Sequence, residues 1–201
     1  MTIKDTALLT STYLGPIEYY QKLVEFTNIK LEQYDHYIKQ TYRNRCSIIG
    51  PEGVQNLIVP IVKPSTNKQC MKDIKIAEHD NWQHQHWQAI KTAYKNSPYF
   101  DYFEEDFIKF YHTKQHYLLD LNNNLQEVVC SHINITPNIK LTKQYITEPT
   151  ANEVDFREII HPKKDYTIED PSFVAKRYYQ VFEQKHGFIP NLSILDLLFN
   201  M

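Results

Sequence analysis

The stretch that decides the fold is TALLTSTYLGPIEYYQKLVEFTNIKLEQY, residues 6–34. Its opening residues, Thr6–Thr12, predict a buried strand around the apolar residues Ala7, Leu8 and Leu9. Gly15-Pro16 then predicts the start of a helix, because proline suits the first helical turn. Asn28–Tyr34 alternates apolar and polar residues and predicts a second strand. Strand, helix and strand within about 30 residues predict a βαβ unit with parallel strands.

The remainder of the chain extends this unit into an α/β domain. We expect one domain over residues 1–201, with a mixed β-sheet that begins with the βαβ unit and is covered by C-terminal helices. A Rossmann-like or nucleotidyltransferase-like layout would follow by analogy of fold alone. The further predicted strands are Asn44–Ile49, Asn56–Val62, Asp73–Ala77 and Ile139–Ile146. The further predicted helices are Trp82–Lys95, Tyr99–Tyr111, Gln115–His132, Asp170–His186 and a last one from Pro190. Residues Thr147–Asp165 are predicted to form a surface loop.

Composition excludes several classes of protein. The net charge is −2, which lacks the basic surplus of a general nucleic-acid binder. With 4 glycines the chain has no glycine-rich phosphate loop. The 3 cysteines have no metal-binding spacing and indicate reduced thiols. The N-terminus lacks the pattern of a signal peptide, and the longest apolar run, Leu57–Val62, is too short to span a membrane. We therefore expect a cytoplasmic protein.

The ends of the first two predicted strands carry the main candidate site. In open α/β sheets, ligands bind outside the carboxyl ends of the strands. Arg43 and Arg45, two residues apart on a predicted strand, would point the same way and suit a phosphate or carboxylate. The alternatives are an ordinary strand–helix turn and a solvated loop whose arginines pair with Asp35 or Glu32. The candidate ligand-binding residues here are Thr12, Tyr13, Gln33, Tyr37, Gln40, Arg43, Asn44 and Arg45.

Histidines supply the candidate catalytic groups. His86 could act as a general base, since the pKa of histidine suits proton transfer near neutral pH. The alternative is a partly buried histidine that is hydrogen-bonded to its surroundings. His36, beside the second strand, is the other candidate. His84 and His86 lie on different faces of a helix and His79 adds no convincing set, so we predict no metal site.

Two further polar positions join this list. Trp82 shares a helical face with His86 and is a candidate for substrate binding. Asn122 lies on the amphipathic helix Gln115–His132, in a cluster of asparagines, and a polar group on such a stripe often faces a cleft. The alternative for the cluster is a solvated helix face.

The chain as a whole resembles the WbqC-like family. The resemblance is carried by Ala7–Tyr13 with Gly15–Tyr20, by Gln40–Arg45, by Val59–Ile61 and by the Trp/His run Trp82–Trp87. It continues through Ser97–Phe100, Leu118–Leu125 and the C-terminal run Phe188–Asn200. Members of this family are associated with gene clusters for bacterial surface polysaccharides such as O-antigen.

The resemblance implies two alternative functions. The first is a transferase of glycan biosynthesis that passes an acyl or aminoacyl group to a nucleotide-linked or lipid-linked amino sugar. The second is a non-catalytic module that binds glycan or protein in the same pathway. In either case the expected partner is a small molecule or sugar nucleotide. Neither hypothesis identifies a cofactor.

Overall fold

The computed structural model describes residues 5–64, 66 and 68–201. The strands are β1 (Thr6–Thr10), β2 (Asn28–Glu32), β3 (Arg45–Gly50), β4 (Gly53–Ile58), β5 (Ile139–Leu141) and β6 (Glu153–Asp155). The helices are α1 (Ile17–Glu25), α2 (Trp82–Tyr94), α3 (Phe100–His112), α4 (Leu118–His132), α5 (Tyr166–Glu169), α6 (Glu183–His186) and α7 (Ile194–Asn200). This arrangement confirms the α/β class.

The sheet is organised around β1. Its strand order is β5-β2-β1-β6, and all three pairings are parallel. β1, α1 and β2 form the predicted βαβ unit, with Thr6 opposite Asn28 and Thr10 opposite Glu32. β3 and β4 pair with each other as a separate antiparallel hairpin. The expected mixed sheet is thus a parallel sheet plus a hairpin.

Helix α4 contributes the apolar stripe that the sequence predicts. Leu118, Leu121 and Leu125 are fully buried, whereas Val128 is only partly buried. An aromatic cluster continues this core between α2, α3 and α7, where Phe199 contacts Phe100 with ring centroids 5.2 Å apart. Burial of such side chains is the main stabilising contribution to a domain of this size.

The segment between β6 and α7 differs from its prediction. A helix over Asp170–His186 is wrong, because the described chain is irregular there and helical over Glu183–His186. This segment is stabilised by side-chain interactions with other parts of the chain instead of by regular backbone hydrogen bonds. Lys22 Nζ lies 2.7 Å from Asp170 Oδ2, and both side chains are buried. The side chains of Tyr178 and Gln180 donate to Asp196 Oδ2 at 2.6 and 2.7 Å.

Two shorter predictions also need correction. The predicted surface loop Thr147–Asp165 contains β6, which pairs with β1. Three residues are too few for an alternating pattern to show in the sequence. The predicted strand Asp73–Ala77 is reduced to isolated bridges from Lys75 and Ile76. Within the described ranges, none of the helices has both the length and the apolarity needed to cross a membrane.

We predict that Leu125→Ala destabilises the fold by about 2–5 kcal/mol, since it leaves a cavity in a closely packed core. Leu141→Ala is the matched control. Leu141 is 45% exposed and should cost less than about 0.5 kcal/mol. Urea unfolding measures both values. Similar losses for the two variants would contradict the burial of the α4 stripe.

Candidate functional site

The carboxyl ends of the four parallel strands converge on one polar region, which we call the carboxyl edge. Ser11 follows β1, Gln33 follows β2, Thr142 follows β5 and Arg157 lies two residues past β6. Asn122 on α4 ties this region to the next segment. Its Nδ2 donates to Ser11 Oγ at 2.8 Å and to the carbonyl oxygen of Arg43 at 2.9 Å. Asn122, a predicted site residue, is therefore buried and links the segment after β1 to the segment before β3.

Glu32 holds the ends of β2 and β5 together. Its buried carboxylate accepts hydrogen bonds from Thr142 Oγ1 at 2.7 Å, from the backbone N–H of Tyr34 at 2.8 Å and from that of Ile146 at 2.9 Å. Gln33 adds a bond from Nε2 to the Thr142 carbonyl at 2.6 Å. A buried carboxylate needs such donors, because an unsatisfied buried charge is strongly destabilising.

Arg157 is a candidate that the sequence prediction missed. Its guanidinium donates to Asp155 from Nε at 2.9 Å and from Nη2 at 2.6 Å, and its Nη1 lies 3.7 Å from Glu32. Burial alone raises the pKa of Asp155, but the hydrogen bonds and charge of Arg157 outweigh it and hold that pKa below its ordinary value. Nη1 is buried and has no hydrogen-bond partner among the residues described. The only sequence signal was a lone arginine in a predicted loop.

Arg43 serves a structural role in this arrangement. It precedes β3, so it does not share a strand face with Arg45 as predicted. Its side chain is 1% exposed, and its guanidinium forms a close ion pair with Asp35. Glu158, whose side chain is mostly exposed, approaches the same guanidinium at 3.4 Å. The pairing with Asp35 is the alternative that the sequence left open, and it uses much of the charge that a ligand would need.

Tyr37 lines a cavity of about 400 Å³ beside the carboxyl edge. Burial raises the pKa of the Tyr37 hydroxyl, while the nearby charges of Arg45 and Arg43 oppose this rise. We call this cavity the basic pocket, because Lys39 and Lys63 line it and its described lining contains no Asp or Glu. The described lining residues are Tyr37, Ile38, Lys39, Lys63, Pro64, Thr66 and Gln69.

The other predicted residues near this pocket are exposed. His36 is exposed and is paired through a backbone bridge with Cys70, which follows Gln69 of the pocket lining. Gln40 is exposed and accepts a hydrogen bond from Lys163. Exposure leaves His36 accessible to a substrate, which suits proton transfer.

Tyr13, His86 and Trp82 lie in the core instead. Tyr13 Oη is 2.9 Å from His86 Nδ1 and 2.8 Å from Tyr111 Oη, and the Trp82 ring packs edge-on against His86. Burial lowers the pKa of His86 to about 4, although a hydrogen bond with the Ile58 backbone opposes this. His86 is therefore neutral at pH 7, in the surroundings that the buried-histidine alternative describes. Its role as a general base stays a prediction.

Two candidates beside the site are also enclosed. Asn44 donates from Nδ2 to the Val59 carbonyl at 2.8 Å, and Thr12 is buried. The backbone N–H of Tyr13 donates to the Tyr42 carbonyl at 2.9 Å, which brings the first loop against the residues before β3. In the part of the chain that the structure describes, no group of three or more His, Cys, Asp or Glu is placed to hold a metal ion. His79 pairs with its neighbour Asp80.

Comparison with known proteins gives a family and one relative. The model of the WbqC-like protein family matches residues 11–201. A protein of Mycobacterium tuberculosis strain H37Rv, described as uncharacterized protein Rv1507c, is 26% identical over 224 aligned residues. That alignment covers 99% of this chain and 94% of the relative. No solved structure gives a significant match.

We predict that Asp35→Asn destabilises the fold by about 3–5 kcal/mol, because it leaves the buried Arg43 without its main partner. Glu158→Gln removes the exposed partner of the same guanidinium and should cost less than about 1 kcal/mol. Chemical unfolding at neutral pH compares the two. Equal small losses would show that Arg43 does not depend on Asp35.

We also predict a pH dependence from His86. Its folded pKa lies below the unfolded value of about 6.5. Between pH 6.5 and 4 the unfolded state therefore binds more protons, and stability is lost as pH falls through this window. His86→Gln should flatten that part of the profile by about 2–3 kcal/mol. An unchanged slope between wild type and variant would mean that His86 protonates freely in the folded protein.

Proposed function

This chain belongs to the WbqC-like protein family, and from that premise we propose that it is an enzyme of bacterial surface-polysaccharide biosynthesis. Its substrate is a sugar that carries a phosphate, either nucleotide-linked or lipid-linked. The reaction is transfer of an acyl or aminoacyl group to an amino sugar.

The observation that carries the proposal is the basic pocket beside the carboxyl edge. Lys39 and Lys63 line it, and Arg45 lies close enough to influence the Tyr37 hydroxyl. Lysine and arginine are the usual partners of phosphate groups, and a parallel sheet offers its ligand site at this edge. A cavity of about 400 Å³ falls within the size range of small-molecule sites.

In the proposed reaction, the residues of the basic pocket bind the substrate and His36 accepts the proton. Lys39 and Lys63 hold the phosphate, Arg45 adds positive charge near the Tyr37 hydroxyl, and the Tyr37 ring supports the sugar. The amine of the acceptor attacks the carbonyl carbon of an activated acyl donor, whose leaving group departs. The proton lost by the amine passes to His36, which is exposed beside the pocket.

The second candidate is a non-catalytic glycan-binding module. The observation that favours it is the exposure of Lys39 and Lys63, which leaves the pocket less enclosed than the dry site of most transferases. Both candidates require an anionic sugar to bind. Turnover of an acyl donor in the presence of the protein distinguishes them.

We predict that a uridine diphosphate sugar stabilises the protein in a thermal-shift assay by about 2.7 kcal/mol at 100 times its Kd. Lys39→Glu and Lys63→Glu should each weaken binding about tenfold or more, or 1.4 kcal/mol, since each reverses a charge at the phosphate. Lys95→Glu, at an exposed position after α2, is the matched control and should bind as wild type.

Two results would contradict the proposed function. A neutral oligosaccharide that binds as well as the nucleotide sugar would contradict the phosphate role. Equal affinity in the three lysine variants would remove the basic pocket from the site.

A further inference from the structure

A second concavity lies between the first turns of α1 and the irregular segment before α6. We call it the C-terminal groove. Its volume is about 330 Å³. It is lined by Ile17, Gln21, Phe173, Val174, Ala175, Lys176, Arg177, Tyr178, Phe188, Asn191 and Leu197. None of these residues lines the basic pocket.

The groove has an apolar floor whose side chains are positioned by ring contacts and hydrogen bonds. Phe173 is buried, and the rings of Tyr178 and Phe188 meet edge to face with centroids 5.3 Å apart. The hydroxyl of Tyr178 donates to the fully buried Asp196 at 2.6 Å. These contacts fix the wall of the groove without a helix or strand, so the concavity is formed before any ligand arrives.

The irregular segment before α6 is also anchored to α1 near its start. Lys22 on α1 is fully buried, lies 2.7 Å from Asp170 and donates to Ser172 Oγ at 2.8 Å. A buried ion pair with further hydrogen bonds is strongly destabilising to break. The position of Phe173, which follows directly, is therefore determined by α1.

The two charged residues in the described lining of the groove are both cationic. Lys176 and Arg177 belong to its lining, which contains no Asp or Glu among the residues described. Arg177 is paired with Glu183, so Lys176 carries the positive charge that is still available to a ligand. Val174 is 72% exposed beside Lys176, an apolar side chain that folding leaves in water.

We propose that the C-terminal groove binds the hydrocarbon chain of a phosphorylated lipid, with Lys176 at the phosphate. The apolar floor takes the chain, and the exposed Val174 covers it on the open side. A free phosphate would gain nothing from the floor, and a neutral lipid would gain nothing from the cation. This proposal goes beyond the function proposed above, because it concerns a separate concavity and a separate ligand.

The test uses dodecyl phosphate below its micelle concentration, with binding measured by titration calorimetry on the full chain. We expect it to bind at least tenfold more tightly than dodecyl maltoside and than inorganic phosphate. Val174→Asp and Lys176→Glu should each weaken this binding at least tenfold. Both positions are exposed, so the variants should fold.

Matched controls separate this groove from other surfaces. Val54→Asp, at an exposed valine on β4, and Lys95→Glu should bind dodecyl phosphate as wild type does. The groove is tested with dodecyl phosphate and the basic pocket with a uridine diphosphate sugar, so this proposal can fail while the function of the basic pocket stands, and the reverse. Undetectable binding, equal binding of the maltoside, or wild-type affinity in Val174→Asp and Lys176→Glu would overturn the proposal.

Discussion

The buried carboxylate of Glu32 is the constraint on which the carboxyl edge depends. A charge without access to water must be met by donors, and Glu32 finds them on the chain after β2 and on the chain after β5. Arg157, which follows β6, approaches the same carboxylate. One side chain at the end of β2 therefore links the segments that follow β2 and β5 and lies near the segment that follows β6.

Charge balance then decides where a ligand can bind. Arg157 is paired with Asp155, and Arg43 with Asp35, so these buried guanidiniums already have partners. Further out, the described lining of the basic pocket contains Lys39 and Lys63 and no carboxylate that would neutralise them. The proposed substrate site is consequently shifted from Arg43 toward Tyr37, although it stays at the same edge of the sheet.

How much of this the sequence could predict depends on whether the signal was local. The βαβ unit and the stripe on α4 were predictable, because their periodicities arise within a few residues. β6 and the irregular segment before α6 were not, since their positions depend on partners far along the chain, such as Lys22 for Asp170. Tyr13 and His86 were recognised as notable residues, but their place in the core depends on long-range contacts, in which Tyr13 Oη bonds both His86 and Tyr111. Lys39 and Lys63 gave no sequence signal beyond two separate surface lysines.

We propose that an anionic sugar binds at the carboxyl edge beside Tyr37. Amide hydrogen exchange with and without a saturating uridine diphosphate sugar tests it most directly, because exchange reports protection residue by residue. We predict that added protection is concentrated in residues 33–45, 59–64 and 68–70. Protection confined to α3 and the exposed face of α4, with no change in those three segments, would contradict the proposal.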